Sequence, residues 1–338
     1  MVGTHNKIKL IITLGPSSLN KKILKQLKED VDIFRLNMSH LSIEQLKKNL
    51  RFLKKNNIRN ICIDTEGAQV RTISIKKKKA LSINQKVIIS FPYFKIKDSI
   101  NLYPQFSFRN VNINSQIKIG FDGLKLKIIK KFKDKLLCKV LSPGFVEANK
   151  GVHFDSHIKL NCLTKKDLEA IKIAKAFGVR KFALSFANTQ NDVQFTRSLI
   201  KKNDDLISKI ETKVGFLNRI KIIKESDAIL IDRGDLSRYI DIAKIPLAQR
   251  ILVKDAKKIG KKVYIATNLL ETMINSNEPT RAESNDVYSS IESGCSGLVL
   301  AAETAIGKYP VECVKFLKKC IKVIKYHKKL ILNPKEFF

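Results

Sequence analysis

No run of about 18 consecutive apolar residues, the length a membrane-spanning helix needs, occurs in the sequence. Met1 to Lys9 also lacks the apolar stretch of a signal peptide, so a cytoplasmic protein with no membrane partner is expected. Neither GxxxxGK(S/T) nor GxGxxG after a strand is present, which argues against P-loop and Rossmann nucleotide sites. The six cysteines (Cys62, Cys138, Cys162, Cys295, Cys313 and Cys320) include no CxxC pair. Reduced thiols are therefore expected rather than disulfides or a zinc site. Among His5, His40, His153, His157 and His327 only His153 and His157 have a ligand-like spacing, and that pair is read as structural. Acids are scarce beside bases, 31 Asp and Glu against 65 Lys and Arg, for a formal charge of +34. The lysines are spread along the whole chain, as at Lys76–Lys79, Lys130-Lys131, Lys257-Lys258 and Lys328-Lys329, without a basic tail or an interleaved aromatic platform. A solvated lysine-rich surface is expected, and nucleic acid is not an expected partner.

What is present is enough for a large core. The apolar fraction is 44%, near the ordinary globular share of about 45–50%. The 338 residues exceed one (β/α)8 barrel of roughly 250 residues by the size of a small insert. Apolar Lys9–Thr13, a polar helix-like run from Asn20, Asp32–Leu36, a helix from Ser42 and Asn60–Asp64 alternate as strands and helices. Such alternation implies parallel strands with crossover helices. From Arg71 to about His153 the pattern changes to short β-rich pieces (Lys86–Ser90, Gln116–Ile119, Lys125–Ile129, Leu136–Val140) with no convincing amphipathic helix. Alternation then resumes with Lys181–Ser185, Leu206–Ile210, Ala228–Asp232, Lys262–Ala266 and Gly297–Ala301. Thr164 with Asp167 marks a helix start, and a last helix runs from Pro310 to about Lys329. The expected fold is an α/β (β/α)8 TIM barrel with a small all-β domain inserted after strand 3. Its expected parts are residues 1–71, 72–153 and 154–338.

Active sites of such barrels lie at the C-terminal ends of the strands. Polar or charged groups stand at those ends: Arg35 to His40, Asp64 to Arg71, Ser185, Lys209 with Glu211, Asp232 to Asp235, Thr267-Asn268 and Glu303-Thr304. Glu211 and Asp235 are on neighbouring strand ends and suit Mg²⁺, which takes one or two carboxylates and completes its shell with substrate oxygens and water. Lys209 and Glu211 fall on one face of their strand, with Ile210 on the other. A cation beside a metal there suits phosphoryl transfer, which needs charge neutralised on the moving group. An ion pair with Glu211 or Asp235 is the competing role for Lys209. Arg35 and Arg71 can supply forked contacts to phosphate oxygens, although each taken singly is ordinarily a salt bridge. Gly234 permits close backbone approach, so its amide and that of Asp235 could bind a carboxylate, with Thr267 placed to donate its hydroxyl to the same group.

These segments are familiar together. Ile12-Thr13-Leu14-Gly15-Pro16-Ser17-Ser18, Arg35 to His40, Asp64-Thr65 to Arg71-Thr72, Asn149-Lys150-Gly151-Val152, Ser208-Lys209-Ile210-Glu211, Arg233-Gly234-Asp235-Leu236, Ala266 to Met273, Pro279 to Glu283 and Glu303 to Pro310 follow in order. Over nearly its whole length the sequence resembles pyruvate kinase. The resemblance implies phosphoryl transfer from phosphoenolpyruvate to ADP, giving pyruvate and ATP. It implies that Lys209 stabilises the moving phosphoryl group, that Glu211 and Asp235 hold Mg²⁺, and that Arg35, Gly234, Asp235 and Thr267 bind phosphoenolpyruvate. It further implies K⁺ at Asn37, Ser39, Asp64 and Thr65, with Asn37, His40, Arg71 and Lys150 near the nucleotide. Protonation of the enolate is assigned to water near Thr267.

Several positions depart from the family pattern. Glu66, Ala68 and Gln69 stand where lysine, proline and glutamate are usual, and the neutral Gln69 bears on K⁺ dependence. Asp232 replaces a small residue, Ser237 a glycine, Asn268 a glutamine, and Ala301-Ala302 a Ser-Gly pair. The C-terminal effector-binding domain of many members is not in this sequence, so activation through it is not expected. Two alternatives stay open: a diverged enzyme using phosphoenolpyruvate or a 2-oxoacid with another acceptor, and a non-catalytic polyanion-binding barrel. Oligomeric state is open too, a homo-oligomer being one option.

Overall fold

A computed structural model of the chain describes residues 7–120, 123–155 and 158–332, with side chains to residue 326. His5 and His157, and the side chain of His327, lie outside the described residues. The chain divides into two compact units, residues 1–67 with 165–338, and residues 68–164.

The first unit is a closed parallel barrel. Its strands are β1 (Lys9–Thr13), β2 (Ile33–Asn37), β3 (Ile61–Asp64), β4 (Lys181–Leu184), β5 (Asp205–Ile210), β6 (Ala228–Asp232), β7 (Lys262–Ala266) and β8 (Gly297–Leu300). Each pairs in parallel with its sequence neighbours in this series, and β8 closes on β1 through Ile12↔Leu300. Helices α1 (Lys21–Leu27), α2 (Ile43–Lys55), α3 (Lys165–Ala176), α4 (Gln190–Leu199), α5 (Arg219–Glu225), α6 (Ile245–Lys258), α7 (Arg281–Glu292) and α8 (Pro310–Leu332) follow the strands in turn. Local chemistry sets their starts. Asn20 caps α1 with its side chain, and Ser42 with Gln45 forms a capping box at α2, each supplying acceptors to otherwise orphaned amides. Among the described residues no helix is long and apolar enough to cross a membrane.

Inside the barrel, one apolar cluster draws on every strand: Ile11, Ile33, Cys62, Ala183, Ile207, Ala228 and Leu230, Tyr264 and Ala266, and Val299. Side chains alternate across a strand, so residues two further along face the same interior. Those residues are Thr13, Arg35, Asp64, Ser185, Lys209 and Asp232. The apolar layer therefore serves as the floor of a polar mouth.

The second unit is also a closed barrel, mostly antiparallel, of strands Val70–Ile73, Lys86–Ser90, Ile100–Tyr103, Gln116–Ile119, Leu124–Lys131, Lys135–Ser142 and Gly151–Phe154. Strand Lys79–Leu81 pairs separately with Gly144–Val146. Leu124–Lys131 alternates buried and open positions, with Leu124, Leu126 and Ile128 turned into a core shared with Ile89 and Leu136. The boundaries expected at residues 71 and 153 fall inside this unit. Val70–Ile73 carries ladder bonds to Ile100–Tyr103 and Gly151–Phe154, while Phe154, Ile158 and Leu160 pack on the core. The change of pattern alone does not mark these edges, because the backbone ladder at Val70–Ile73 and the packing of Phe154, Ile158 and Leu160 are set by tertiary contacts.

Burial fixes the thiols. It pushes Cys62, Cys138, Cys295 and Cys313 up to about 12 and Cys320 up to about 11, leaving almost no reactive thiolate near neutrality. Cys162 is partly exposed. Brief iodoacetamide treatment of native protein at pH 8, read by peptide mass spectrometry, should label Cys162 first. Labelling of Cys62 or Cys138 at the same rate would contradict this packing.

Candidate active site

Lys209 is the hub of the barrel mouth. It leaves β5 with only 5% of its surface exposed, and its Nζ lies 3.3 Å from Asp64 Oδ2, 3.1 Å from Glu211 Oε1 and 3.8 Å from Asp232 Oδ2. It also donates to Ser185 Oγ at 3.1 Å. Burial alone would lower its pKa, but the carboxylates of Asp64, Glu211 and Asp232 outweigh that and hold it above the usual lysine value. Lys209 is thus held as a cation, and the ion pair with Glu211 expected as its competing role is present together with its placement at the mouth.

Arg35, from β2, is fixed beside it. Its Nε and one Nη donate to Thr13 Oγ1 at 2.9 and 2.6 Å, and the other Nη donates to Asp64 Oδ2 at 3.2 Å. Guanidinium carries five N–H donors, so two stay available to an anion. Asp64 is fully buried and also accepts from Ser185 Oγ at 3.0 Å, so both of its oxygens are engaged. Thr65 Oγ1 accepts from the Ser185 amide at 3.0 Å. Asn37 stands beside Asp64 across β2 and β3, but its side chain accepts from the Ser39 amide. His40 is exposed.

The loop after β3 is braced from α3. The fully buried Asp167 accepts from the amides of Glu66 and Gly67 at 2.8 and 3.1 Å, and Glu66 pairs with Lys166 at 2.7 Å. Gly67 has φ +68°, and a Cβ there would meet the Ser185 carbonyl oxygen at 2.6 Å. Glycine is what lets this loop pass so close to the end of β4.

Glu211, Asp232 and Asp235 form the carboxylate group of the site. One oxygen from each lies within 4.8 Å of the others. Glu211 is fully buried, and its Oε2 accepts from the Phe186 amide at 2.6 Å. Its Oε1 receives no hydrogen bond from the described residues, although Lys209 Nζ is at ion-pair distance. Burial, with Asp232 and Asp235 close by and only partly offset by Lys209, pushes the Glu211 carboxyl up to about 8. An oxygen-only set holding a buried, under-satisfied carboxylate fits a hard divalent cation such as Mg²⁺.

The Thr267 hydroxyl donates to Asp232 Oδ1 at 2.6 Å. Toward a ligand Thr267 offers lone pairs. Gly234 is packed against the Thr267 side chain: a Cβ there would sit 2.8 Å from Thr267 Cγ2. Asp235 pairs with Arg238 at 3.4 Å.

The barrel mouth thus brings together Arg35, Asp64, Thr65, Lys209, Glu211, Gly234, Asp235 and Thr267 in the first unit. Arg71 and Lys150 belong to the second, where Arg71 is the register partner of Gly151 and donates to the Asn149 carbonyl at 3.4 Å. Lys150 pairs with Glu147 at 3.0 Å.

A family model for the pyruvate kinase barrel domain matches residues 5–314. This chain belongs to the pyruvate kinase family. A pyruvate kinase of Methanocaldococcus jannaschii is 36% identical over 333 residues, covering 97% of this chain and 71% of the relative. Those of Borreliella burgdorferi and Geobacillus stearothermophilus are 31% and 32% identical over 337 and 330 residues. The chain spans 71% of the first of these two and 55% of the second. Likeness to pyruvate kinases over nearly the whole chain makes it an enzyme, a phosphotransferase of the pyruvate kinase type.

The sequence placed Ser185 and Asp232 at strand ends and Thr13 in its first matching segment, but not their contacts with Arg35, Asp64, Lys209 and Thr267. The period of two, continued from Ile11, Ala183 and Leu230, carries the signal for Thr13, Ser185 and Asp232.

Proposed function

We propose that the barrel mouth transfers the phosphoryl group of phosphoenolpyruvate to ADP, giving pyruvate and ATP. The observation that carries this reading is Lys209, a buried cation in contact with Asp64 and Glu211 and next to a carboxylate group suited to a divalent ion. Lys209 neutralises charge on the moving phosphoryl group, and Arg35 adds the two donors it has left over. Low exposure strengthens both contacts, because water screens them little. The Gly234 segment places the carboxylate end of the substrate, with Thr267 beside it. The Thr267 hydroxyl donates to Asp232 and keeps its lone pairs to hold a water for protonation of the enolate.

Glu211 and Asp235 are the residues that would hold Mg²⁺, which when bound supplies further positive charge to the phosphoryl oxygens. Asn37, Ser39, Asp64 and Thr65 are the proposed K⁺ ligands. Asp64 already meets Arg35, Lys209 and Ser185, so a cation there would share a carboxylate with two side-chain charges. Asn37, His40, Arg71 and Lys150 are proposed as nucleotide-binding residues.

The test is pyruvate formation by purified protein with phosphoenolpyruvate, ADP and Mg²⁺, with and without K⁺. Pyruvate is expected only when both substrates and Mg²⁺ are present. Absence of pyruvate under every ion condition would overturn the reading and direct the search to other acceptors or to polyanion binding.

A further inference from the structure

Thr267 follows β7 directly with φ +77°, a left-handed conformation that a β-branched residue rarely takes. Such a residue persists only where its surroundings over-determine it. Three consecutive residues at the end of β6 do so. Asp232 Oδ1 takes the hydroxyl proton at 2.6 Å. Arg233 grips the carbonyl of Thr267 with Nε and one Nη at 3.1 and 2.6 Å, while its other Nη is tied to Asp286 in α7 at 2.8 Å. Gly234 supplies the room, since any Cβ would strike the Thr267 methyl. Hydroxyl, carbonyl and methyl of one side of Thr267 are therefore all set by residues 232–234.

We propose that Asp232 and Arg233 are positioning residues that hold Thr267 for its contact with substrate, Asp232 acting through the Thr267 hydroxyl. This rests on the reaction proposed above. The rival role for Asp232 is electrostatic, as a third carboxylate beside Glu211 and Asp235. The contacts favour positioning. Oδ1 is committed to Thr267 at 2.6 Å, and Oδ2 is turned toward Lys209 at 3.8 Å.

The two roles part in a comparison of Asp232→Ala with Asp232→Asn. Both remove the charge, but only asparagine keeps an oxygen that can accept from Thr267. Asp232→Ala is expected to lower kcat by on the order of 10–100-fold, the scale of misplacing one reacting group, with KM for phosphoenolpyruvate within about threefold. Asp232→Asn should recover at least about tenfold of that loss. In a Thr267→Val background, Asp232→Ala should cost less than about twofold, because residues acting as a unit are not additive. Mn²⁺ affinity, read by electron paramagnetic resonance, should change equally in the two Asp232 variants. Equal loss of kcat in Asp232→Asn and Asp232→Ala, or an undiminished effect in the Thr267→Val background, would overturn the role of Asp232.

Arg233→Lys is the second arm, and it stands even if Asp232→Ala fails to fold. It keeps a cation for Asp286 but not the two-point grip on the carbonyl, and kcat should fall by about tenfold at unchanged Tm. Wild-type kcat in this variant would overturn the role of Arg233. Wild-type protein inactive with phosphoenolpyruvate and ADP would instead remove the underlying reaction, and this proposal with it.

Discussion

Replacing Lys209 with methionine should lower kcat for pyruvate formation by on the order of 10²–10³-fold or more, the scale of losing one transition-state donor. Methionine keeps most of the length and packing of the side chain, so the change is chiefly of charge. The loss should appear in kcat rather than in KM for phosphoenolpyruvate, since the charge to be neutralised grows as the phosphoryl group moves. A folding penalty should accompany it. Asp64 and Glu211 are both fully buried and lie within 3.3 and 3.1 Å of Lys209 Nζ. Breaking a buried pair by removing one partner costs about 3–5 kcal/mol, lessened here because Arg35 still holds Asp64. Tm should therefore fall while the far-ultraviolet circular dichroism at room temperature stays native. Folded variant protein with kcat within tenfold of wild type would show that Lys209 is a structural ion-pair residue only.

Glu211→Gln should separate function from stability. The amide has the shape of the carboxyl but is a far weaker ligand for a hard divalent cation. Activity at saturating substrates should fall by at least about 10²-fold, the scale of losing one electrostatic element of the site. Metal-free protein should not lose Tm. Burial raises the Glu211 carboxyl well above the usual carboxylate range, so its charge is costly in the metal-free protein, and Lys209 keeps Asp64 and Asp232 beside it when that charge is removed. Adding Mn²⁺ raises the Tm of a protein that binds it only when folded, by mass action. The variant should lose most of that rise. A full Mn²⁺ shift in Glu211→Gln would move the metal away from the Glu211, Asp232 and Asp235 group.

The two readings of the insert differ for a physical reason. Lys86–Ser90 and Gln116–Ile119 were found with their predicted ends because apolar side chains alternate along each, at Val87 and Ile89 and at Ile117 and Ile119. Leu124–Lys131 and Lys135–Ser142 extend beyond their predicted ends by Leu124 and Leu141 and, where hydropathy is silent, by Lys130, Lys131, Lys135 and Ser142. Their pairing continues where hydropathy no longer reports it, since ladder bonds depend on the backbone. Arg71 shows the same effect at the domain edge. Its charge reads as a loop after β3, while its backbone belongs to a strand of the second barrel.

By itself the sequence determined the parallel barrel, the inserted β domain and the strand ends on which Arg35, Lys209, Glu211 and Asp235 stand. Alternation and period are local properties, and spacing along one strand places Lys209 and Glu211 on one face without reference to anything else. The tertiary structure alone decided which partners those groups meet. Asp64 is shared by Arg35, Ser185 and Lys209 from three other strands or strand ends, and the Thr267 proton goes to Asp232 on the neighbouring strand. Closure of the barrel brings these ends within hydrogen-bond reach, and competition among buried donors and acceptors then fixes each pairing.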